Sequence, residues 1–315
     1  MIITTQVVEV VKYSARYKPD WDAFVRVSKN GTFLLLRDYM DYHADRFMDH
    51  SLLFYRKGKL VALLPANEVG EEVHSHGGLT YGGVISSVRM KAATMLEVFE
   101  AMRRYFRELG FRSIRYKVIP HIYHLNPAEE DLYALFRCGA KLYRRDAGAV
   151  IDLERSLPYA TLRKRKLKKA VALQLAESRN FETFMQVKQQ LLQEKYGITP
   201  AHSAAELELL AAKFPENIKL YTAASTGELL AGVVIYETAT VAHCQYMGAT
   251  AKGQEHSALD VLIDYLLQHV YPRKKYFSFG ISTEQEGQWL NEGLMAYKES
   301  YGARAVMHDF YVLEL

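Results

Sequence analysis

The sequence predicts an α/β protein built as two tandem mixed sheets packed by helices, with a groove between them. Three observations predict it. Apolar residues alternate between the helical period of ~3.6 and the strand period of ~2 along the whole chain. The order helix, hairpin, strand, helix, strand occurs twice. The two occurrences are separated by AVIDLERSLPYATLRKRKLKKAVAL, in which Pro158 divides a strand from a strongly basic helix. We place the boundary near residue 153, giving domains 1–152 and 153–315, in line with ~150 residues per domain.

The first half opens with helical stretches around WDAFVRVSKNGTF and RDYMDYHADRF. SLLFYRKGKLVALLPANEV then reads as a hairpin turning at Lys57-Gly58, because alternating apolar residues flank a glycine turn. Beyond the glycine-rich HSHGGLTYGGVI lies AATMLEVFEAMRRYFRELG, a helix closed by Gly110, and then the strand SIRYKVIP. In the second half FETFMQVKQQLLQEKY is helical, IKLYTAASTGELLAGVVIYE is a hairpin turning at Thr226-Gly227, and TVAHCQYMG is a strand. SALDVLIDYLLQHVY is a helix stopped by Pro272, and KKYFSFG a strand after it. In EGQWLNEGLMAYKESYGAR the spacing of Leu290, Leu294, Tyr297 and Tyr301 predicts one buried helix face, with Lys298 in the last turn and Gly302 as a left-handed cap. AVMHDFYVLEL closes the chain as a strand.

With 49% hydrophobic and 24% charged residues among 315, the composition is that of an ordinary globular protein. No apolar run approaches the ~18 residues of a membrane span, and MIITTQVVEVVKYS lacks a basic leader, so a cytoplasmic location is expected. Cys138 and Cys244 make neither a disulfide framework nor a metal spacing. The net charge of +4 is too mild to demand nucleic acid and does not oppose an anionic substrate.

Several residues are candidates for chemistry. Ser257 is placed to cap a helix with Asp260 completing a capping box, and the preceding Lys252 and Gly253 make that helix start a place for a pyrophosphate. RKRKLKK, residues 163 to 169, reads either as a solvated helix face or as a phosphate or tRNA contact through Arg163, Lys166 and Lys169. Tyr81, flanked by Gly77-Gly78 and Gly82-Gly83, lies where backbone can approach a ligand closely. His74 and His76 share one side of a strand, but no third metal ligand is near them in sequence. On TVAHCQYMG, His243, Gln245 and Met247 alternate with Cys244 and Tyr246. His243 is a candidate base and Tyr246 a candidate acid or oxyanion donor, with simple packing as the competing reading for both. No nucleophile elbow, Walker loop or dinucleotide fingerprint is present.

The second half resembles the GNAT acyltransferase superfamily, in the branch built from two such domains that includes the Fem-type peptidyltransferases. The resemblance covers roughly residues 153 to 315 and rests on YMGATAKGQEHSALDVLIDYL and YFSFGISTEQEGQWLNEGLMAYKESYGAR, with FG, then GLMAYK, then YG. It implies a tandem GNAT pair that moves an acyl or aminoacyl group to an amine or hydroxyl of an anionic, cell-envelope or nucleotide-linked precursor. The implied donor is acetyl-CoA or another acyl-CoA, without a metal. The loop KGQEHSAL departs from the usual GNAT phosphate-loop pattern, which leaves an aminoacyl-tRNA as the alternative donor. The resemblance further implies that Lys298 meets the acceptor's phosphate or carboxylate, with Asn291 and Gly293 shaping the adjoining loop. A non-catalytic protein that keeps the tandem fold and holds an anionic partner is the alternative.

Overall fold

A computed structural model of the chain describes residues 8–169 and 172–315. The chain divides into two compact units. Of the described residues, 8–146 with 285–288 and 307–315 form the first, and 147–169, 172–284 and 289–306 the second. The division therefore passes through two long strands and returns the C-terminal residues to the first unit, which no contiguous split of the sequence expresses.

The first unit contains β1 (Glu9–Lys12), α1 (Lys18–Val27), α2 (Arg37–Met40), β2 (Met48–Asp49), β3 (Leu52–Arg56), β4 (Lys59–Leu64), β5 (Asn67–Val69), β6 (Glu72–His74), β7 (Ile85–Ser86), α3 (Ala92–Glu108), β8 (Ser113–Lys117) and α4 (Glu130–Arg137). β9 (Lys141–Asp152) leads out of it. β1, β3, β4 and β7 form one antiparallel sheet; β2, β5, β6 and β8 lie in a second, in which β6 and β8 run parallel. The β3–β4 hairpin turns at Lys57 and Gly58, at φ 52° and 69°, the two positive angles that a tight hairpin needs. α3 stops where Gly110 takes φ 87°. Its Val98, Phe99, Met102 and Phe106 pack with Leu52, Phe54, Leu64 and Ile114 as the unit's core.

The second unit contains α5 (Thr161–Lys169), β10 (Gln174–Ser178), α6 (Phe181–Tyr196), α7 (Ala204–Lys213), β11 (Ile218–Ser225), β12 (Glu228–Glu237), β13 (Val241–Ala249), α8 (Ala251–Glu255), α9 (Ala258–Tyr265), β14 (Tyr276–Ile281), β15 (Thr283–Glu284), β16 (Trp289–Leu290), α10 (Glu292–Glu299) and the start of β17 (Arg304–Glu314). β10 to β13 pair antiparallel in order, β14 joins β13 in parallel, and β14 pairs antiparallel with the end of β9. The β11–β12 turn again has two positive φ angles, at Thr226 and Gly227. A full capping box starts α7, where Ser203 accepts from Glu206 N and Glu206 reaches back. α9 passes into a π turn over Leu266–Val270 before Pro272. Leu262, Ile263 and Leu266 pack on Val233, Ile235 and Phe277 to form the core.

One predicted face differs. Leu290 belongs to β16 and is exposed, so the buried side of α10 is made by Met295, Lys298 and, beyond the helix, Tyr301. Lys298 is 1% exposed where a half-packed surface lysine was expected.

Candidate active site

The site originates in a strand divergence. β13 and β14 pair only at Val241↔Tyr276, Ala242↔Phe277 and His243↔Ser278. β13 then runs on to Ala249 while β14 turns away through Gly280, at φ 71°. β12 covers the other side of β13 as far as Ala249, so Cys244 to Ala249 have no strand partner on the β14 side. A cleft of about 970 Å³ occupies the opening. Because it lies along an edge of β13 and not over one face, residues of both parities border it: Cys244, Gln245, Tyr246 and Met247. A bulge contributes, since Cys244 and Tyr246 face successive residues of β12 and leave Gln245 extra. His243 is not among the residues lining the cleft.

The walls carry both lysines and the carboxylates Glu194 and Asp260. Lys166 of α5, Lys188 of α6 and Lys298 of α10 all line the cleft. Lys188 donates to Met247 O at 3.2 Å. The ammonium of Lys298 donates to Gly280 O at 3.0 Å and Ile281 O at 2.6 Å, and burial lowers its pKa to about 8. His243 lies at the closed end of the divergence, its Nδ1 3.0 Å from Ser278 Oγ. Burial, and then the charge of Lys298, lower its pKa to about 4, so it is neutral at pH 7 and a weak base. Burial also pushes the Cys244 thiol far up, which makes it inert as a nucleophile. The Tyr246 hydroxyl meets His202, 2.7 Å from its Nδ1 and 3.2 Å from its backbone N. Burial raises that phenol to about 12 against hydrogen bonds from His202, Gln245 and Ala201.

Behind the wall, α5, α9 and α10 are joined through Asp260. Its carboxylate accepts from Tyr297 at 3.1 Å and Tyr301 at 3.0 Å and pairs with Arg163. Arg163 also bonds Ser300 Oγ and lies over the rings of Tyr297 and Tyr301, at 4.6 and 4.2 Å. At 5% exposure it is a buttress and not a phosphate contact. The basic run thus has one inward residue, while Lys166 is exposed toward the cleft; the side chain of Lys169 lies outside the described residues.

The proposed pyrophosphate loop is built otherwise than its sequence indicates. Ser257 adopts φ 53° and makes no side-chain cap, and Asp260, the expected partner of a capping box, is engaged by the tyrosines and Arg163. The cap falls instead on Thr250, which accepts from Gly253 N at 3.0 Å. Gly253 is packed so closely that a Cβ there would stand 2.0 Å from Leu230 O, which explains the glycine by packing and not by flexibility. Lys252 is ion-paired with Glu228. Gly253 and Ser257 border the cleft all the same. Asn291 caps α10 through Leu294 N at 2.9 Å and donates to Glu284 at 2.7 Å, while Gly293 lies in the helix's first turn. Tyr81 is 1% exposed in the core of the first unit, donating to Thr32 at 2.9 Å and stacked near Tyr123, which is a packing role. The nearby glycines do permit close approach, since a Cβ at Gly82 would stand 1.9 Å from Ser75 O. His74 bonds Glu72, and among the described residues no group of three or more metal-ligating side chains occurs. Sequence reasoning missed His202, Asp260 as a junction and Lys188; only the capping serine after His202 marked that segment.

Residues 160–299 match the family model described as the acetyltransferase (GNAT) domain. No curated protein matches the sequence at a significant level. Among solved structures, the chain is similar to "Crystal structure of FemX" at TM-score 0.69 and 11% identity, covering 98% of this chain and 97% of that one. It is similar to a tandem GNAT protein from the clavulanic acid biosynthesis pathway, at TM-score 0.54 and 14% identity over 98% of each chain. A third likeness is L-PGS from Bacillus licheniformis, at TM-score 0.58 and 15% identity, covering 95% and 91%. The fold is that of the tandem GNAT proteins. No helix among the described residues is long and apolar enough to cross a membrane.

Proposed function

We propose that this chain, whose residues 160–299 match the GNAT acetyltransferase domain model, is a transferase that moves an acyl or aminoacyl group to an amine or hydroxyl of an anionic acceptor. The observation that carries this reading is the cleft where β13 and β14 diverge, open along one backbone edge and lined by Lys166, Lys188 and Lys298. An extended, amide-bearing chain pairs with such an edge as a missing strand would. The lysines favour phosphate or carboxylate groups, and the one carboxylate of the buttress, Asp260, is neutralised by Arg163.

The fit to an acyl-CoA divides in two. The open edge of Cys244 to Ala249 suits its pantetheine amides, and Ser257 at the start of α9, with Lys166 and Lys188, suits its phosphates. Bound there, the cofactor would supply an activated thioester. Gly253 N and Lys252, by contrast, are engaged within the protein. That engagement favours an aminoacyl-tRNA as the donor to be compared with it. For the acceptor, Lys298 is the buried cation nearest the end of β14, and Asn291 and Gly293 form the helix start that presents it.

The test is direct. Purified protein is titrated with acetyl-CoA and, separately, with an aminoacyl-tRNA, while melting temperature and transfer of labelled acyl group to amine acceptors are followed. A ligand at 100 times its Kd stabilises the fold by ~2.7 kcal/mol. One donor should raise the melting temperature and support transfer. A donor that binds without transfer to any amine or hydroxyl would favour the non-catalytic binding protein, and the absence of both would sink the reading.

A further inference from the structure

Transfer to an amine releases a proton, and the cleft's histidine neighbour, His243, neither lines it nor is basic. A different pair is better placed. Tyr246 borders the cleft, and its hydroxyl touches His202, a residue 44 positions earlier in the chain. His202 also lines a second cavity of about 500 Å³, bordered by Gln186, Gln189, Thr199 and Ser203. The backbone N–H of His202 donates to the phenol oxygen at 3.2 Å, and the phenol oxygen lies 2.7 Å from Nδ1. A relay needs the arrangement in which the phenol O–H donates to Nδ1 and the ring proton sits on Nε2. Tyr246 thus borders the cleft and His202 the polar cavity, with this short contact between them.

We propose that Tyr246 and His202 form a proton relay from the acceptor amine to the second cavity, an inference that rests on the transferase reading above. As the amine attacks the acyl carbon, the C–N bond forms and the carbonyl π pair moves to oxygen. The amine proton passes to Tyr246 Oη as the phenolic proton passes to His202 Nδ1, giving an imidazolium. Collapse breaks the bond from the acyl carbon to the leaving sulfur or oxygen, whose pair takes a proton from water, and the imidazolium gives its proton to water in the cavity. The balance is thioester or ester plus amine to amide plus thiol or hydroxyl. Tyr246 is the catalytic residue of this pair and His202 acts through it. Glu206, whose charge reaches the phenol, and Glu182, which lines the second cavity, are anionic groups near the pair, and Glu194 borders the cleft beside Tyr246.

The experiment uses full-length protein, with acetyl-CoA or an aminoacyl-tRNA as donor and hydroxylamine as the amine probe, corrected for the protein-free rate. His202→Asn keeps an acceptor near the Nδ1 position but cannot carry a proton. We expect it and Tyr246→Phe each to lower kcat by roughly 10²- to 10⁴-fold, the usual range for proton-transfer catalysis, with KM nearly unchanged and no further loss in the double variant. Long-range ¹H–¹⁵N spectra of ¹⁵N-histidine protein should show His202 as the Nε2–H tautomer, with Nδ1 shifting in Tyr246→Phe. Wild-type kcat in His202→Asn, or losses that multiply in the double variant, would overturn the relay while leaving the transferase reading intact. An Nδ1–H tautomer in the wild type would overturn it even if the variants fail to fold. A wild type that transfers from neither donor brings down the transferase reading, and the relay with it.

Discussion

The ammonium of Lys298 lies 2.6 Å from the carbonyl oxygen of Ile281, at the end of the strand whose departure from β13 opens the cleft. A helix residue thus holds the mouth of the divergence by hydrogen bonds to β14 backbone beyond its last pair with β13.

That contact makes Lys298 both a stability and a ligand residue. Lys298→Met should lower unfolding free energy by ~1.5–3 kcal/mol, the range for hydrogen bonds to a charged group, and should also weaken the anionic ligand. Urea unfolding and ligand titration of one preparation decide it. Stability and binding both at wild-type level would show that the two carbonyls are satisfied by water instead.

The two glycines near the cleft should respond oppositely to alanine. At Gly253 the new Cβ meets Leu230 O at 2.0 Å, so Gly253→Ala should destabilise by ~1–3 kcal/mol through overpacking. At Gly293 the nearest atom is Asn291 Oδ1 at 3.8 Å, and Gly293→Ala should stabilise α10 by up to ~1 kcal/mol. Denaturant midpoints of the two variants on opposite sides of wild type are the expected result.

Arg163 and Lys166, three residues apart on one helix, should separate structure from binding. Arg163→Met strands the Asp260 carboxylate in a buried site and should cost ~3–5 kcal/mol. Lys166→Ala should change stability by less than ~0.5 kcal/mol while reducing affinity for an anionic donor. If Arg163→Met melts like wild type, the junction at Asp260 is not what holds the three helices.

Tyr81→Phe removes only the hydroxyl that donates to Thr32. We expect a loss of ~1 kcal/mol and unchanged transfer kinetics. A large rise in KM with unchanged melting would restore the ligand-binding role that the sequence indicated.

Acid sensitivity should come from buried histidines. Burial lowers His76 to about 3 and His308 to about 4, below the ordinary value of 6.5. Since these folded-state values lie under the unfolded ones, the unfolded chain takes up protons first as pH falls. The stabilisation is complete above about 6.5 and is lost progressively on descending toward the folded-state values, by up to ~1.4 kcal/mol per pH unit for each histidine. His308→Phe should flatten the dependence of stability on pH between 6.5 and 4 by one proton's worth. Urea midpoints at pH 7, 6 and 5 read it directly, and an unaltered slope would show that His308 ionises without penalty.

How much of this was legible in the sequence follows from the range over which each feature is encoded. The hairpins at Lys57-Gly58 and Thr226-Gly227, the stop of α3 at Gly110 and the helix carrying Lys298 each depend on dihedral preference and periodicity within about ten residues, and all lie where the sequence indicated. The motif around GLMAYK supplies Leu294, Tyr297 and Lys298 to one wall of the cleft. The alternation along β13 was readable too, but not that the cleft would lie at its edge, because that depends on where β14 stops pairing more than thirty residues later. Arg163 was indistinguishable from its exposed neighbours, since only the arrival of Asp260 and two tyrosines makes its position interior. Ser257 had the right spacing for a cap, yet Asp260 had a stronger partner elsewhere in the fold. The meeting of Tyr246 with His202 left no local trace at all. Sequence by itself determined the elements, their order and the turns that join them, through interactions between near neighbours. Tertiary structure decided which edge stays open, which charges are buried and which hydroxyl meets which imidazole, because those depend on pairings closed across long loops.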